Sequence, residues 1–213
     1  RDFKVGAQVG NPQVSYRESI SAAATHNEQY SRTMAGKDVA AGLTLKVEPL
    51  SRGSGNQYHK AVRNNSIPEE IYDAIERAVT NAFGGGIVLG YPCVDIGVTL
   101  SSIDYSELTG TPFAYEACAS MCFDEACRKA GPLQLQPVMK VDIMTPHDYI
   151  GEVMSLLSQR GGMIHGSESR AAIEVVHAEA PLAVMFGFST SLRSVSQGRA
   201  SFSMEFSHFE QKR

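Results

Sequence analysis

Two stretches in the first 130 residues carry apolar side chains every three or four positions, the spacing of a helix that buries one face. The first helix is expected to begin at Ser66, which has capping-box spacing to Glu69, and to end at Gly84–Gly86. Thr111-Pro112 is expected to open the second helix, and Gly131-Pro132 to end it. The apolar positions are Ile71, Ala74, Ile75, Ala78, Val79 and Ala82 in the first helix, and Ala114, Ala117, Cys118 and Met121 in the second.

Strands are predicted where apolar residues alternate with polar ones or form a short run ended by turn residues. Three segments of the first 131 residues fit: Val14–Ile20, Leu43–Val47 and Val94–Leu100. The stretch 25–42 is polar with little periodicity, and we predict a long loop there. Shorter loops are predicted over 51–56 and 101–110.

A strand and a helix are predicted directly after residue 132. Met139, Val141 and Ile143 alternate with polar neighbours, which marks a half-buried strand. Thr145 is a good N-cap before Pro146, and the helix it opens should end at Gly161-Gly162. The polar positions of the strand are Lys140 and Asp142, and the apolar stripe of the helix is Tyr149, Ile150, Val153, Leu156 and Leu157.

The remaining segments repeat that rhythm. Two strands are predicted near 163–167 and 172–180, and Pro181 should open a second helix that carries Leu182, Met185, Phe186 and Leu192. The last strand is expected to point Phe202, Met204 and Phe206 inward, with Ser203 and Glu205 outward. The order βαββαβ is that of a ferredoxin-like domain, an antiparallel sheet with two helices on one face. We therefore predict an α+β protein of two domains divided near residue 131.

Composition narrows the class of protein. The chain has 213 residues, 43% of them hydrophobic and 20% charged, with a formal net charge of −4. That is enough for two small cores, and too acidic for a protein that binds nucleic acid by bulk charge alone. No stretch approaches the roughly 20 apolar residues of a membrane span. The start of the chain lacks a Met and a signal peptide, so we expect it to be cut from a longer protein.

Few residues suggest bond chemistry. No G-x-x-x-x-G-K-[ST] motif occurs, so a P-loop nucleotide site is excluded, and both glycine runs follow helices where a phosphate loop would precede one. Cys118 and Cys122 share a helix face while Cys127 lies off it, a spacing typical of buried thiols and poor for zinc. Neither H-E-x-x-H nor G-x-S-x-G is present. The sequence predicts no catalytic residue, metal site or cofactor site in this chain.

Several segments resemble the C-terminal domains IV and V of elongation factor G, a ribosomal translocase of the translation GTPase family. The likeness covers almost the whole chain. The segments are Val9–Glu18, Lys46–Gly55, Gly90–Asp95, Val98–Leu100, Gln136–Val141, Pro181–Arg199 and Met204–His208.

The resemblance implies an organisation and a function. Residues 1–9 would be a linker, 10–131 domain IV with a ribosomal protein S5 domain 2-like fold, and 132–213 the ferredoxin-like domain V. Partners would be the ribosome and the tRNA–mRNA pair: domain IV at the small-subunit decoding region, domain V at ribosomal RNA and the GTPase-associated centre of the large subunit. GTP and Mg would be bound by a missing N-terminal domain. The full-length protein would therefore be a cytoplasmic GTPase that promotes translocation during elongation, and no membrane is expected among its partners.

The resemblance also implies which residues touch RNA. Two tip loops of domain IV would do so, and both differ from the common family pattern: no Gly-Gly-Arg-Gly-Gln-Tyr-Gly-like run is present, and the usual His of the second loop is Ser106. These departures resemble a second, paralogous type of elongation factor G, so an alternative is ribosome recycling, subunit splitting with the recycling factor. The tip residues are Thr33, Met34, Ala35, Gly36, Lys37 and Asp38, then Asp104, Tyr105, Ser106 and Glu107.

In domain V, ribosomal RNA contact is assigned to Arg160, Arg193, Gln197 and Arg199. Gly198 frees the backbone beside Arg199, which would let that arginine approach a phosphate closely. The residues alone favour the other interpretation, a solvated face with ordinary ion pairs, since exposed charges usually contribute little. The family resemblance is what points to RNA.

Overall fold

The computed structural model describes residues 15–212 of the chain. These residues divide into two compact units, 16–135 and 136–212. The boundary between the units falls inside one strand, Pro132–Pro146, whose first four residues belong to the first unit. Each unit has its own buried apolar cluster.

The first unit is built from a four-stranded sheet, two helices and a short extra strand. The sheet has the order β2-β3-β5-β4, antiparallel except for β4, which runs parallel to β5. β1 pairs instead with residues 132–135, Arg17 opposite Leu135 and Ile20 opposite Pro132. The elements are β1 Arg17–Ile20, β2 Ala24–Met34, β3 Lys37–Pro49, β4 Gln57–Lys60, α1 Glu69–Gly85, β5 Ile96–Asp104 and α2 Pro112–Lys129.

The second helix of this unit is covered on two sides. α2 contacts β2 and β3 on one side and α1 on the other. Small buried residues, mostly Ala and Cys, let the helix approach both layers closely. The expectation that Cys127 lies off the face of Cys118 and Cys122 is right in geometry, yet all three are fully buried because α2 has two buried faces.

The prediction of a loop over residues 25–42 was wrong. β2 and β3 form a long antiparallel hairpin whose pairing runs without a break from Ala24 opposite Val47 to Met34 opposite Lys37. Burial does alternate along β2, but the half-buried positions hold His26 and Glu28 as well as Ala24, so the apolar alternation that reveals a strand is missing. Likewise β5 extends to Asp104, and the predicted loop 101–110 is confined to residues 105–110.

The sequence predicted the N-terminus of α2 correctly and that of α1 incorrectly. α2 begins at Pro112 as predicted, and Thr111 is its N-cap: the Thr111 Oγ1 accepts the N–H of Ala114 at 3.2 Å. The capping box of Ser66 and Glu69 was wrong, because α1 begins at Glu69 after Pro68 with no side-chain cap. The N–H of Ser66 instead donates to Asn64 Oδ1 at 2.9 Å, which fixes a turn before the helix.

The second unit has the predicted order βαββαβ. Its strands are arranged β9-β6-β8-β7, with β8 antiparallel to both of its neighbours, and the two helices contact each other. The α+β class and the ferredoxin-like order are thus confirmed. The elements are β6 Pro132–Pro146, α3 Ile150–Gln159, β7 Met163–Arg170, β8 Ile173–Pro181, α4 Phe188–Ser196 and β9 Ser201–Gln211, with 3-10 turns over His147–Tyr149 and Leu182–Met185.

Three details of this unit were predicted wrongly. Thr145 is not an N-cap: it is buried, its hydroxyl donates to the Pro146 carbonyl, and a 3-10 turn precedes α3. The helix expected from Pro181 is broken: the 3-10 turn ends at Met185, and α4 begins at Phe188 after Gly187, whose φ is +76°. Phe206 is 52% exposed rather than inward, and its ring packs on that of Phe209 with centroids 5.0 Å apart.

Candidate functional surfaces

The end of the β2–β3 hairpin is a tight two-residue turn that projects polar residues. Ala35 and Gly36 form it with φ of +52° and +79°, the two positive values of a type I′ turn, and Met34 faces Lys37 across it. Residues 31–38 are all exposed. The first set of predicted contact residues therefore lies together at one solvent-facing tip.

The charges of this tip are mixed. Thr33 Oγ1 donates to Asp38 Oδ1 at 2.8 Å, which ties the two strands together just below the turn. Lys37 has no ion pair among residues 15–212. Arg32 lies over the ring of Tyr30, 5.6 Å from its centroid. Lys37 is therefore the cation at the tip that can reach a phosphate without losing an internal partner.

The second predicted loop, residues 105–110, is held by its own backbone. The carbonyl of Ser106 accepts the N–H of Gly110 at 2.8 Å and that of Thr109 at 3.3 Å, while Ser106 Oγ accepts the N–H of Leu108. The Tyr105 ring packs against Gly110, where a Cβ would come within 2.6 Å of a ring carbon. Leu108 is 92% exposed, so the loop presents an apolar side chain that we had not predicted.

Two hydrogen bonds attach the second loop and the strand residue before it to the hairpin. Thr109 O accepts the N–H of Ala40 at 3.0 Å, and Asp104 Oδ2 accepts from Gln29 Nε2 at 2.8 Å. Ala40 lies four residues from Gly36, a distance of about 14 Å along an extended strand. The structure thus brings the second loop to the flank of the hairpin, and the hairpin apex reaches further.

Gln29 and Gly42 are positioning residues that sequence reasoning missed. The Gln29 side chain crosses β3 at Gly42 to reach Asp104, and a Cβ at Gly42 would lie 2.6 Å from the Gln29 amide oxygen and 2.9 Å from the Asp104 carboxylate. A glycine inside a strand is the sequence signal of such a close approach. The prediction of a loop over residues 25–42 gives Gly42 no such meaning.

Arg193, Gln197 and Arg199 lie together at the C-terminal end of α4, and all three are exposed. Gln197 adopts a left-handed conformation with φ of +54°, as does Gly198 with +78°, and the Gly198 N–H donates to the Arg193 carbonyl at 2.9 Å. Arg193 Nη2 donates to Ser189 Oγ at 3.1 Å. The turn thus brings the backbone next to Arg199 against the backbone of Arg193.

Arg160 is engaged inside its own unit. Its guanidinium donates to the carbonyls of Val184 and Phe186, both at 2.8 Å, and to Ser191 Oγ at 2.9 Å, above the ring of Phe188. These bonds satisfy the backbone around the break between the 3-10 turn and α4. Arg160 therefore stabilises the surface of which α4 is part, and its contact with RNA stays a prediction.

The four cysteines lie in the buried cluster of the first unit. All four thiols are free and buried; burial raises the pKa of Cys93 and of Cys118 to about 12 and that of Cys122 to about 11. Cys118 and Cys122 donate to the backbone carbonyls of Glu28 and His26. Within residues 15–212 no group of His, Cys, Asp and Glu is arranged to hold a metal ion. None of the helices described there could cross a membrane.

Comparison with known proteins places this architecture. The family model described as elongation factor G, domain IV, matches residues 12–131, and the model described as elongation factor G C-terminus matches residues 134–213. These matches define the class: the chain carries domains of a translation elongation factor. It belongs to the elongation factor G family, and the expected pair of folds is confirmed.

Individual relatives agree. The chain is 54% identical to elongation factor G 1 of Treponema denticola, over 100% of this chain and 32% of the relative. It is 46% identical to elongation factor G 2 of Treponema pallidum, over 98% of this chain and 32% of the relative. A crystal structure of a protein from Thermus thermophilus superposes with a TM-score of 0.86 at 28% identity over 95% of this chain and 30% of that one. The chain thus spans about a third of the length of these relatives.

Proposed function

We propose that this chain is the ribosome-binding part of a factor that promotes GTP-dependent translocation of tRNA and mRNA during elongation. The observation that carries the proposal is the long, fully paired β2–β3 hairpin with its exposed tip, in a chain that belongs to the elongation factor G family. A stiff projection with polar, hydrogen-bonding residues at its end suits a role in which shape places a few contacts at RNA.

The proposed contacts of the first unit are the two tip loops. Residues 33–38 would meet the tRNA–mRNA pair at the small-subunit decoding region, and residues 104–107 would contact it from the flank of the hairpin. The tip is not strongly basic, which limits nonspecific attraction to phosphates, because that attraction grows with each cation added. Lys37 supplies the local charge.

The proposed contact of the second unit is the end of α4. Arg193 and Arg199, with Gln197 between them, would hold ribosomal RNA near the GTPase-associated centre of the large subunit. Two exposed cations on a fixed turn favour phosphate contacts whose strength falls as salt rises. The boundary between the two domains is proposed at residues 131 and 132. The first family model ends at residue 131, the second begins at residue 134, and the unit boundary lies between residues 135 and 136.

The chemistry that drives the cycle belongs elsewhere in the full-length protein. GTP and Mg would be bound and GTP hydrolysed by a domain outside this chain, in the cytoplasm where ribosomes work. Residues 15–212 would contribute docking and positioning.

Lys37→Ala in the full-length factor tests the role of the hairpin tip. We expect a translocation rate on pre-translocation ribosomes several-fold below wild type and a salt dependence of ribosome binding smaller by about one phosphate contact. GTP binding should be unchanged. Lys46→Ala removes an exposed lysine of the same strand far from the tip and is the matched control.

Wild-type translocation by Lys37→Ala would reject the tip assignment. Running subunit splitting with the recycling factor on the same proteins separates translocation from recycling. A factor that splits subunits and does not translocate would overturn the proposed function while leaving the family assignment intact.

A further inference from the structure

Residues 86–91, the loop after α1, form an exposed apolar surface that neither the fold nor the proposed RNA contacts explain. Val88 and Leu89 are consecutive and 54% and 55% exposed. Tyr91 follows Leu89 by two residues, and its ring packs on that of Tyr16 with centroids 5.2 Å apart. Single exposed aliphatic residues are common, but two adjacent ones next to an aromatic pair mark a surface that a partner covers.

This loop is fixed in place by a buried carboxylate. Glu18, 1% exposed, accepts the N–H groups of Ile87, Val88, Leu89 and Tyr91 at 2.9–3.1 Å. Those bonds hold the backbone inward, and the Val88 and Leu89 side chains are left facing solvent. A surface that is already ordered loses little conformational entropy when a partner binds it.

The chemistry of the loop disfavours RNA as that partner. No Asp, Glu, Lys or Arg occurs between Ala78 and Val94, so the segment itself offers no charge to a phosphate. Arg128, which contacts the loop, donates from Nη2 to the Ile87 carbonyl and from Nε to Asp124, so that cation already has partners. An uncharged surface of Val, Leu and Tyr fits the apolar surface of a folded protein domain.

The position of the loop points to a particular domain. Residue 18 forms a bridge with Cys93, so the loop lies beside β1, the strand through which the chain enters this unit. The relatives are about three times as long as this chain, which matches 32% of their length. A domain attached just before β1 would be present at an effective concentration in the millimolar range, which favours even a small interface.

We propose that Val88 and Leu89 are the docking surface for the domain that precedes this chain in the full-length factor. The contact would fix the angle at which the first unit, with its hairpin, leaves the rest of the protein. Glu18 acts through the loop as a positioning residue. The proposal rests on the family assignment and is independent of which RNA the tip loops touch.

Site-directed photo-crosslinking of the full-length factor tests this. A benzophenone maleimide is attached at Leu89→Cys, with Leu108→Cys as control because Leu108 is an exposed leucine on a distant loop. The native thiols of this chain are buried and have raised pKa values, so they react slowly. We expect crosslinks from position 89 to residues upstream of this chain, independent of protein concentration, and maleimide labelling at least ten-fold slower at 89 than at 108.

Other outcomes overturn the proposal. Crosslinks between two copies that increase with concentration would make the surface a self-association site. Crosslinks formed only with ribosomes present would assign it to a ribosomal component. Equal labelling at 89 and 108, without upstream crosslinks, would show an open surface. Val88→Cys repeats the experiment from the neighbouring position, so that loss of folding in one variant leaves the test complete.

Discussion

Replacing Glu18 by Gln probes the buried carboxylate that organises the first unit. Glu18 Oε1 accepts the N–H groups of Ile87 and Tyr91, and Oε2 accepts those of Val88 and Leu89. Gln keeps the shape and one acceptor oxygen but turns the other into an NH₂ group. Two backbone N–H groups would then face a donor instead of an acceptor.

The cost follows from burial. A buried donor left without a partner costs roughly 1–3 kcal/mol, so two of them cost about 2–6 kcal/mol. Glu18 is 1% exposed, which leaves little access for water to replace the lost acceptor. A domain of this size is stable by only about 5–15 kcal/mol, so the substitution should remove a large fraction of its stability.

Urea unfolding followed by far-UV circular dichroism measures the effect, because the chain has no Trp for fluorescence. Glu70→Gln removes the same charge from an exposed position of α1 and should change the free energy of unfolding by less than about 0.5 kcal/mol. Equal urea midpoints for the two variants would show that the four N–H hydrogen bonds make no net contribution to the stability of the fold.

The difference in the free energy of unfolding between the wild type and Glu18→Gln should also depend on pH. Burial of Glu18 raises its pKa, but the four backbone N–H groups lower it more, so the pKa of the folded state lies below the usual value. The stability that Glu18 contributes is therefore present above the unfolded-state pKa of about 4.3 and is lost as pH falls through the lower folded-state pKa. A wild-type advantage over Glu18→Gln that grows on acidification would contradict the reasoning.

Three further predictions concern local structure. Gly187→Val should destabilise the second unit by about 1–3 kcal/mol in urea unfolding because φ is +76° there, and Gly187→Asn, which tolerates that conformation, by less; equal midpoints would contradict this. Thr111→Ala should cost about 1 kcal/mol and Thr111→Ser far less, and a melting temperature unchanged by Ala would argue against the N-cap. His177 donates to Asp142 and Glu168, which raises its pKa; its contribution to stability is present below the unfolded-state pKa and lost as pH rises through the folded one. NMR titration should show a lower pKa of His177 in Asp142→Asn than in the wild type. An unchanged pKa would show that the pairing with Asp142 does not raise it.

Periodic apolar patterns predicted the fold where each element buries one face. The order βαββαβ and the stripe of α1 follow from such patterns, and the start of α2 follows from Thr111-Pro112. The apolar pattern did not predict the β2–β3 hairpin, because β2 packs His26 and Glu28 against α2. Polar side chains and cysteine thiols replace the apolar alternation there. The strand conformation of this segment depends on tertiary contacts, which a single sequence does not show.

The candidate surfaces show a similar limit. The resemblance located the tip residues, and the structure places residues 33–38 at one exposed turn. The carboxylate of Glu18 gave no signal, since its four partners lie about 70 residues away along the chain and offer only backbone groups. Pairings between a side chain and distant backbone leave no motif in the sequence.

Asp95 repeats the device found at Glu18, and together they explain why irregular loops of the first unit can be stiff. Asp95, nearly buried and with φ of +57°, accepts the N–H groups of Gly53 and Gly55 at 3.1 and 2.8 Å. Each carboxylate replaces sheet or helix pairing for a loop that has neither. Loops ordered in this way suit the proposed function, in which the first unit would hold its hairpin tip at RNA by shape.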